Sequence, residues 1–298
     1  MQHELLIAII AGTGGMLGWG LADFFAKKTI DQIGDVVTLA WGHVFGTISL
    51  LLMALYQFLV LDQQVSVQYD FKAWAFLIFF GVLQAVVYLL VYNGFGKGQV
   101  GALSPVFASF SGLTAVISIV VLREVVGPYV LLGLAALFAG ILLINVDIQA
   151  LKSKRLNFAS IPGFKEVALA TIFATFWTLG WDRFVGGQDW LTYTFFMYAF
   201  MSIAILMFAM VRRINLLVIK PHIWKFLILI GFTETVAYAA ISLGYSLTSL
   251  TSVVALLSGA FSLPTIILAW LFLRERMNLA QVVGSLITIG GIMLLVAL

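Results

Sequence analysis

The sequence lacks cysteine altogether and carries little charge. The first absence removes disulfides, thiol nucleophiles and thiolate metal sites, and it leaves the compartment open. Only 10% of the 298 residues are charged and 62% are hydrophobic, and with a mean hydropathy of +1.10 there is too little polar surface to cover a soluble core. Histidine is scarce too: His3, His43 and His222 are widely separated, and no His/Glu cluster suits a metal. No P-loop is present to power transport by ATP, and no Gly-x-Gly-Asp or Gly-x-Ser-x-Gly arrangement serves proteolysis or hydrolysis in the membrane. Neither an enzymatic activity nor a cofactor is expected. The net charge of +3 does not point to nucleic acid, because the basic residues sit singly or in short groups between apolar runs and read as membrane flanks.

What is present is apolar sequence in lengths that match a bilayer. A helix needs about 20 such residues to span the hydrocarbon core. Runs of that kind are predicted at 5–26, 35–59, 72–93, 99–122, 129–146, 165–185, 190–211, 223–244, 249–273 and 278–297. The first run lacks a basic leader and a small-x-small cleavage site, so it is expected to persist as a helix.

The chain also repeats itself. Trp74, Gly81, Tyr88 and Gly94 recur as Trp224, Gly231, Tyr238 and Gly244 at an offset of 150. Phe110, Ser111, Thr114, Leu122, Arg123, Glu124, Gly133 and Gly140 recur at 151 as Phe261, Ser262, Thr265, Leu273, Arg274, Glu275, Gly284 and Gly291. Each copy holds five runs, and an odd number forces the second copy into the membrane from the opposite side. The expected fold is therefore an all-α integral membrane protein of ten transmembrane helices in two inverted five-helix repeats. Residues 1–146 form the first, 165–298 the second, and 147–164, with Lys152, Lys154, Arg155 and Pro162, is the linker. Gly12, Gly14, Gly15, Gly18 and Gly20 on the first helix, with Gly284, Gly290 and Gly291 on the last, suit close helix packing or assembly as a homodimer, and leave a monomer equally open.

This plan, a tryptophan in the first helix of each half (Trp19, Trp177) and the Leu-Arg-Glu closing the fourth helix of each (Leu122 to Glu124, Leu273 to Glu275) resemble the EamA-type members of the drug/metabolite transporter superfamily. The resemblance covers nearly the whole chain. It implies a multi-pass transporter of the cell (inner or plasma) membrane that moves a small metabolite, often outward.

Polar groups deep in lipid are costly, so each is expected to face the bundle interior. Glu234 lies near the middle of its run with Tyr238 one turn later, and Gln84 and Tyr88 hold the matching positions of the first half. Trp19 and Asp23 on the first helix, and Trp177 and Trp181 on the sixth, are each four residues apart. With His43, Trp41 and Tyr198 these side chains suit one aromatic cavity for an aromatic, amino-acid-like or cationic solute. Glu234 is the carboxylate placed for proton coupling, and an exchanged solute is the other source of energy. Trp74, Trp190, Trp224 and Trp270 read as interface anchors, Asp23 and Asp182 as groups near helix ends, and Arg123-Glu124 and Arg274-Glu275 as edge pairs that cap helices. Pro264 and Pro105 are expected to interrupt the ninth and fourth helices, with Ser258, Ser262 and Thr265 serving the groups that Pro264 frees. The alternative reading is a membrane scaffold or lipid-handling protein, in which Glu234 merely ties helices together. A dry, fully packed midplane would favour it.

Lys and Arg give the orientation: 13 fall in odd-numbered loops and 3 in even-numbered ones. The positive-inside rule places the odd loops in the cytoplasm and both termini outside, whereas the family resemblance implies termini inside. A reporter that is active only in the cytoplasm, fused after Leu298, is expected to stay dark. A bright signal would reverse the assignment.

Overall fold

A computed structural model describes residues 2–61, 70–98, 100–146 and 161–298 of the chain. Most of the expected linker, including Lys152, Lys154 and Arg155, lies outside the described residues. The elements are α1 (Gln2–Ile33), α2 (Asp35–Leu59), α3 (Phe71–Lys97), α4 (Val100–Val116, prolonged by a π turn over Ile117–Val121), α5 (Pro128–Asn145), α6 (Phe164–Val185), α7 (Trp190–Val211), α8 (Trp224–Leu247), α9 (Thr251–Gly259), α10 (Ser262–Leu273) and α11 (Leu279–Val296). No strand occurs among the described residues. The helices α9 and α10 are two halves of one span, so ten spans result among the described residues, and nine of them are long and apolar enough by composition to cross a bilayer. The tenth, α6, carries Lys165, Glu166, Asp182 and Arg183 near its ends.

Helix pairing shows the inverted duplication directly. The helix α1 packs along α8 and against α9, and its counterpart α6 packs along α3 and against α4. The pairs α2 with α7 and α5 with α11 join equivalent helices of the two halves. Exchanging the halves maps this set of neighbours onto itself. The duplication reaches the backbone: Arg123 and Arg274, equivalent at the ends of their spans, both adopt left-handed conformations, with φ of 57° and 56°. Each ends its helix as a cap, and the N–H of the next residue bonds back to Ser118 and Ala269 respectively. The glutamates do not pair with their own arginines as expected. Glu124 instead binds Ser252, and Glu275 binds Lys27 at 2.6 Å.

Two expectations about helix breaks are corrected. Lys27 and Lys28 do not end α1, which runs on to Ile33 and stops only at Gly34, where φ is +83°. Lys28 lays its ammonium over the Phe24 and Phe226 rings, 4.9 and 5.4 Å from their centroids, so its stem stays on apolar surface while the helix continues. Pro264 does break its span, at Ala260 and Phe261, because its ring cannot accommodate the carbonyl four residues earlier. That carbonyl, of Ala260, accepts from Leu263 N at 2.9 Å, and Ser258, Ser262 and Thr265 find other partners. Pro105 sits in the opening turns of α4 and leaves it continuous.

The glycines of α1 face inward rather than toward a second copy. A Cβ on Gly18 would stand 2.6 Å from the Thr233 carbonyl, and one on Gly15 would meet Ile241 and Ser258. Likewise Gly284 and Gly291 press on α5, whereas Gly290 faces open space. A close backbone approach beside the site lies between α2 and α8, where a Cβ on Gly231 would be 2.5 Å from both Gly42 O and Gly46 N. Gly231→Ala is expected to push these backbones apart and destabilise the fold by about 1–3 kcal/mol, the usual cost of overpacking. Gly290→Ala should leave the apparent melting temperature in detergent unchanged. Equal melting of both variants would refute this packing.

Candidate functional site

Glu234 sits at the centre of the bundle, midway along α8, and is 4% exposed. A lone charge there would be strongly disfavoured, and the sequence surrounds it with donors. Tyr88 of α3 donates to Oε1 at 2.5 Å, and Tyr198 of α7 donates to Oε2 at 2.9 Å. Gly46 of α2 leaves the space that the Tyr198 hydroxyl fills. From α2, His43 stacks on Tyr198 and places Nε2 3.6 Å from Oε1. Its Nδ1 lies 2.8 Å from the Leu39 carbonyl, which only accepts, so Nδ1 carries a proton and Nε2 faces the carboxylate. Nε2 makes no hydrogen bond of its own.

Donors form a line that ends on this carboxylate. Gln84 Nε2 donates to the Tyr238 hydroxyl at 2.8 Å, Tyr238 to the Tyr88 hydroxyl at 3.4 Å, and Tyr88 to Glu234. Every group in the line points its hydrogen the same way, which suits an acceptor-only carboxylate and polarises the chain toward it.

Beside the cluster lies a cavity of about 1140 Å³. Lys27, Asp31, Asp35, Arg276 and Gln281 stand at its mouth, on the face that carries the odd-numbered loops. Its inner end is bounded by Trp19, Gln84, Tyr88 and Trp177, with Phe107, Phe261 and Tyr92 along the walls. Two polar atoms at this inner end are buried and unpartnered, the Trp19 Nε1–H donor and the Gln84 Oε1 acceptor. Asp23 is open to the same space, one turn beyond Trp19. The cavity floor is thus polar as well as aromatic.

Eleven residues were expected at one site, and the structure divides them. Trp19, Asp23, Gln84, Tyr88 and Trp177 line the cavity. Glu234, Tyr238 and His43 form the layer behind it, with Tyr238 meeting Trp19 and Trp177 edge-on at 5.5 and 5.9 Å between ring centroids. Trp181 does not line the cavity: it is 0% exposed, stacks on Trp177 and donates to Ser242 at 2.9 Å, so its role is packing. Trp41 is elsewhere, against Trp224 at the odd-loop face. Asp23 lies ten positions short of the end of α1 rather than near it, because the helix continues past the two lysines. Trp74 packs on Phe196 and Phe200.

Sequence reasoning missed Asn145, whose side-chain amide joins Ser104 of α4 and Ser262 of α10 in the cavity wall. An asparagine closing a run of leucine and isoleucine was the available signal. Among the described residues no three His, Asp or Glu side chains gather as a metal site requires.

The opposite, even-loop face has a second cavity, of about 620 Å³, lined by Ser118, Arg123, Glu124, Asp182, Tyr245 and Thr251 among others. Here Glu124 accepts from the Ser252 hydroxyl at 2.5 Å and from Ser252 N at 3.0 Å, at the first turn of α9. Burial pushes the Glu124 carboxyl above its ordinary range, and the Ser252 donors pull the other way. Trp181, buried against Trp177 of the first cavity and against Phe80, begins a packed aromatic layer beyond the cavity floor.

The chain superposes on a solved crystal structure of a protein with a TM-score of 0.74 at 14% sequence identity, over 97% of each chain, a likeness of fold. No curated relative matches the sequence. The family that does match is described as the EamA-like transporter family, and it does so twice, over residues 6–146 and 163–297. Two matches that together span nearly the whole chain, each coinciding with one five-span half of the bundle, make this protein a member of the EamA-like transporter family.

Proposed function

We propose that the chain is a secondary transporter of a small organic solute in the cell membrane, working by alternating access as its two halves rock about the cavity floor. The observation that carries this reading is the cavity of about 1140 Å³, which reaches the centre of the bundle from one face and stops at an aromatic layer. A scaffold has no use for such a space. With the odd loops in the cytoplasm the cavity opens inward, which suits loading for export or exchange. The ring-lined floor, the Asp23 carboxylate and the two free polar atoms suit a solute that is aromatic, amino-acid-like or cationic and has both a donor and an acceptor.

Trp19 and Trp177 separate solute binding from packing. Trp19 Nε1 has no partner, so Trp19→Phe removes no internal hydrogen bond, whereas Trp177 Nε1 donates to the Phe80 carbonyl at 3.0 Å. Trp19→Phe is expected to leave the melting temperature unchanged and to raise the KM for transport in proteoliposomes about tenfold, the worth of one hydrogen bond. Trp177→Phe should lower the melting temperature. An unaltered KM in Trp19→Phe would remove that indole from the solute site.

Coupling rests on Glu234, which is one hydroxyl away from the cavity through Tyr88. A rocking motion that separates α3 or α7 from α8 takes donors from the carboxylate, and its affinity for a proton changes with them. Glu234→Gln is expected to fold and to bind solute while losing the pH dependence of transport. If that dependence persists in the variant, Glu234 is a structural hydrogen-bonding residue and the carrier runs by exchange or through another acid such as Asp23.

A further inference from the structure

A buried histidine ordinarily ends both ring nitrogens in hydrogen bonds, and His43 does not. It is 1% exposed. Nδ1 carries a hydrogen to the Leu39 carbonyl at 2.8 Å, whereas Nε2 turns a lone pair toward Glu234 Oε1 and makes no hydrogen bond. Oε1 only accepts as well, so two acceptors face each other across 3.6 Å, wider than the about 2.7–3.2 Å of an N–H···O bond. The gap lacks one hydrogen. No neighbour supplies it: Tyr88 of α3 and Tyr198 of α7 already give Glu234 the single hydrogen of each hydroxyl. Tyr238, one turn on along α8, spends its own on Tyr88, and Asp23 of α1 is close enough to repel the carboxylate. Among the described residues no lysine or arginine pairs with Glu234. The backbone holds the two partners together, since Gly42 and Gly46, on either side of His43, lie against Gly231 of α8.

We infer that His43 and Glu234 are one proton site, loaded by a hydrogen on Nε2 that donates to Oε1. For its part in transport this rests on the coupling reading above; as a proton site it stands on the geometry. The two hydroxyls aimed at Glu234 match an acceptor-only carboxylate, so the added proton belongs to the imidazole, which becomes an imidazolium paired with a carboxylate. The proton comes from solvent through the cavity by way of Tyr88, which lines it. That hydroxyl gives its hydrogen to Oε1 and regains one from the cavity side, Oε1 passes the first to Nε2, and the pair closes to hydrogen-bond length. Loading takes the site from a net negative charge to none while every earlier hydrogen bond stays in place. An unloaded pair attracts a cationic solute to the cavity floor and a loaded pair does not, which is the exclusion that exchange of solute for proton requires.

The scarcity of histidine supplies the test. His3 and His222 are exposed, so His3→Gln with His222→Gln leaves His43 as the only imidazole without touching the pair. In that full-length protein, ¹⁵N-labelled histidine reports whether Nε2 carries hydrogen, and infrared absorption reports whether Glu234 is a carboxylic acid, identified as the band lost in Glu234→Gln. On acidification Nε2 is expected to gain a hydrogen while no acid band from Glu234 appears. At the pH of half loading, Glu234→Gln should leave Nε2 only about one-tenth loaded, the loss set by one charge-assisted hydrogen bond. His43→Asn keeps an amide donor in the place of Nδ1 and has nothing in the place of Nε2; in it the acid band should appear, because the carboxylate is then the group left to take the proton. If Nε2 keeps its lone pair at every pH at which the protein stays folded and the acid band appears instead, His43 is a packing residue and Glu234 couples alone. Loading that is unchanged in Glu234→Gln would make His43 an independent group and overturn the shared site. If neither group takes a proton, the pair and the coupling through Glu234 both fall. The first measurement alters neither partner, so it decides even where a variant unfolds.

Discussion

One buried carboxylate organises the centre of this protein. Glu234 of α8 takes hydroxyl donors from α3 and α7 and faces an imidazole of α2, so four helices from both halves meet on a single acceptor. In a medium without water, a group of this kind fixes the rotation of each helix more firmly than apolar contact does, because lipid is as apolar as leucine and gives no preference for one face. Glycines near it allow the helices to come close. Gly46 admits the Tyr198 ring, and Gly18 lets α1 lie directly on the α8 backbone at Thr233.

The repeat supplies the frame and its departures supply the chemistry. Tyr88 and Tyr238 are equivalent and both stand in the donor line, but their neighbours Gln84 and Glu234 differ in one atom type, and that difference gives the line a direction. Had both been glutamine, the hydroxyls could run either way. The same holds at the rim, where two glutamates in identical backbone settings face different groups.

Much of this was legible in the sequence. Ten apolar runs gave ten spans among the described residues, most with ends within a few residues, since hydrophobic length is a strong signal in membrane proteins, and the offsets of 150 and 151 gave the pairing of halves. The end of α1 was misread because two lysines look like a loop when the rings that support them come from elsewhere in the chain. Which residues face the cavity was only partly readable. These helices are apolar on nearly every side, so periodicity does not say which way Trp181 turns, and it turned into the packed layer. Tyr198 was expected as a cavity wall and is instead the second donor to Glu234, a fact that depends on the angle between α7 and α8 and has no local signature. Asn145 needed its partners on α4 and α10 before its place made sense.

The break at Ala260 and Phe261 divides the ninth span into rods of 9 and 12 residues. At a rise of about 1.5 Å per residue the shorter rod is roughly 14 Å long, about half the hydrocarbon thickness, so each rod belongs to one leaflet. The shorter rod is buried along its whole length, while the longer exposes Trp270, Leu271 and Phe272 toward its outer end. A span jointed at Ala260 and Phe261 can change the tilt of its outer rod without unseating the buried one.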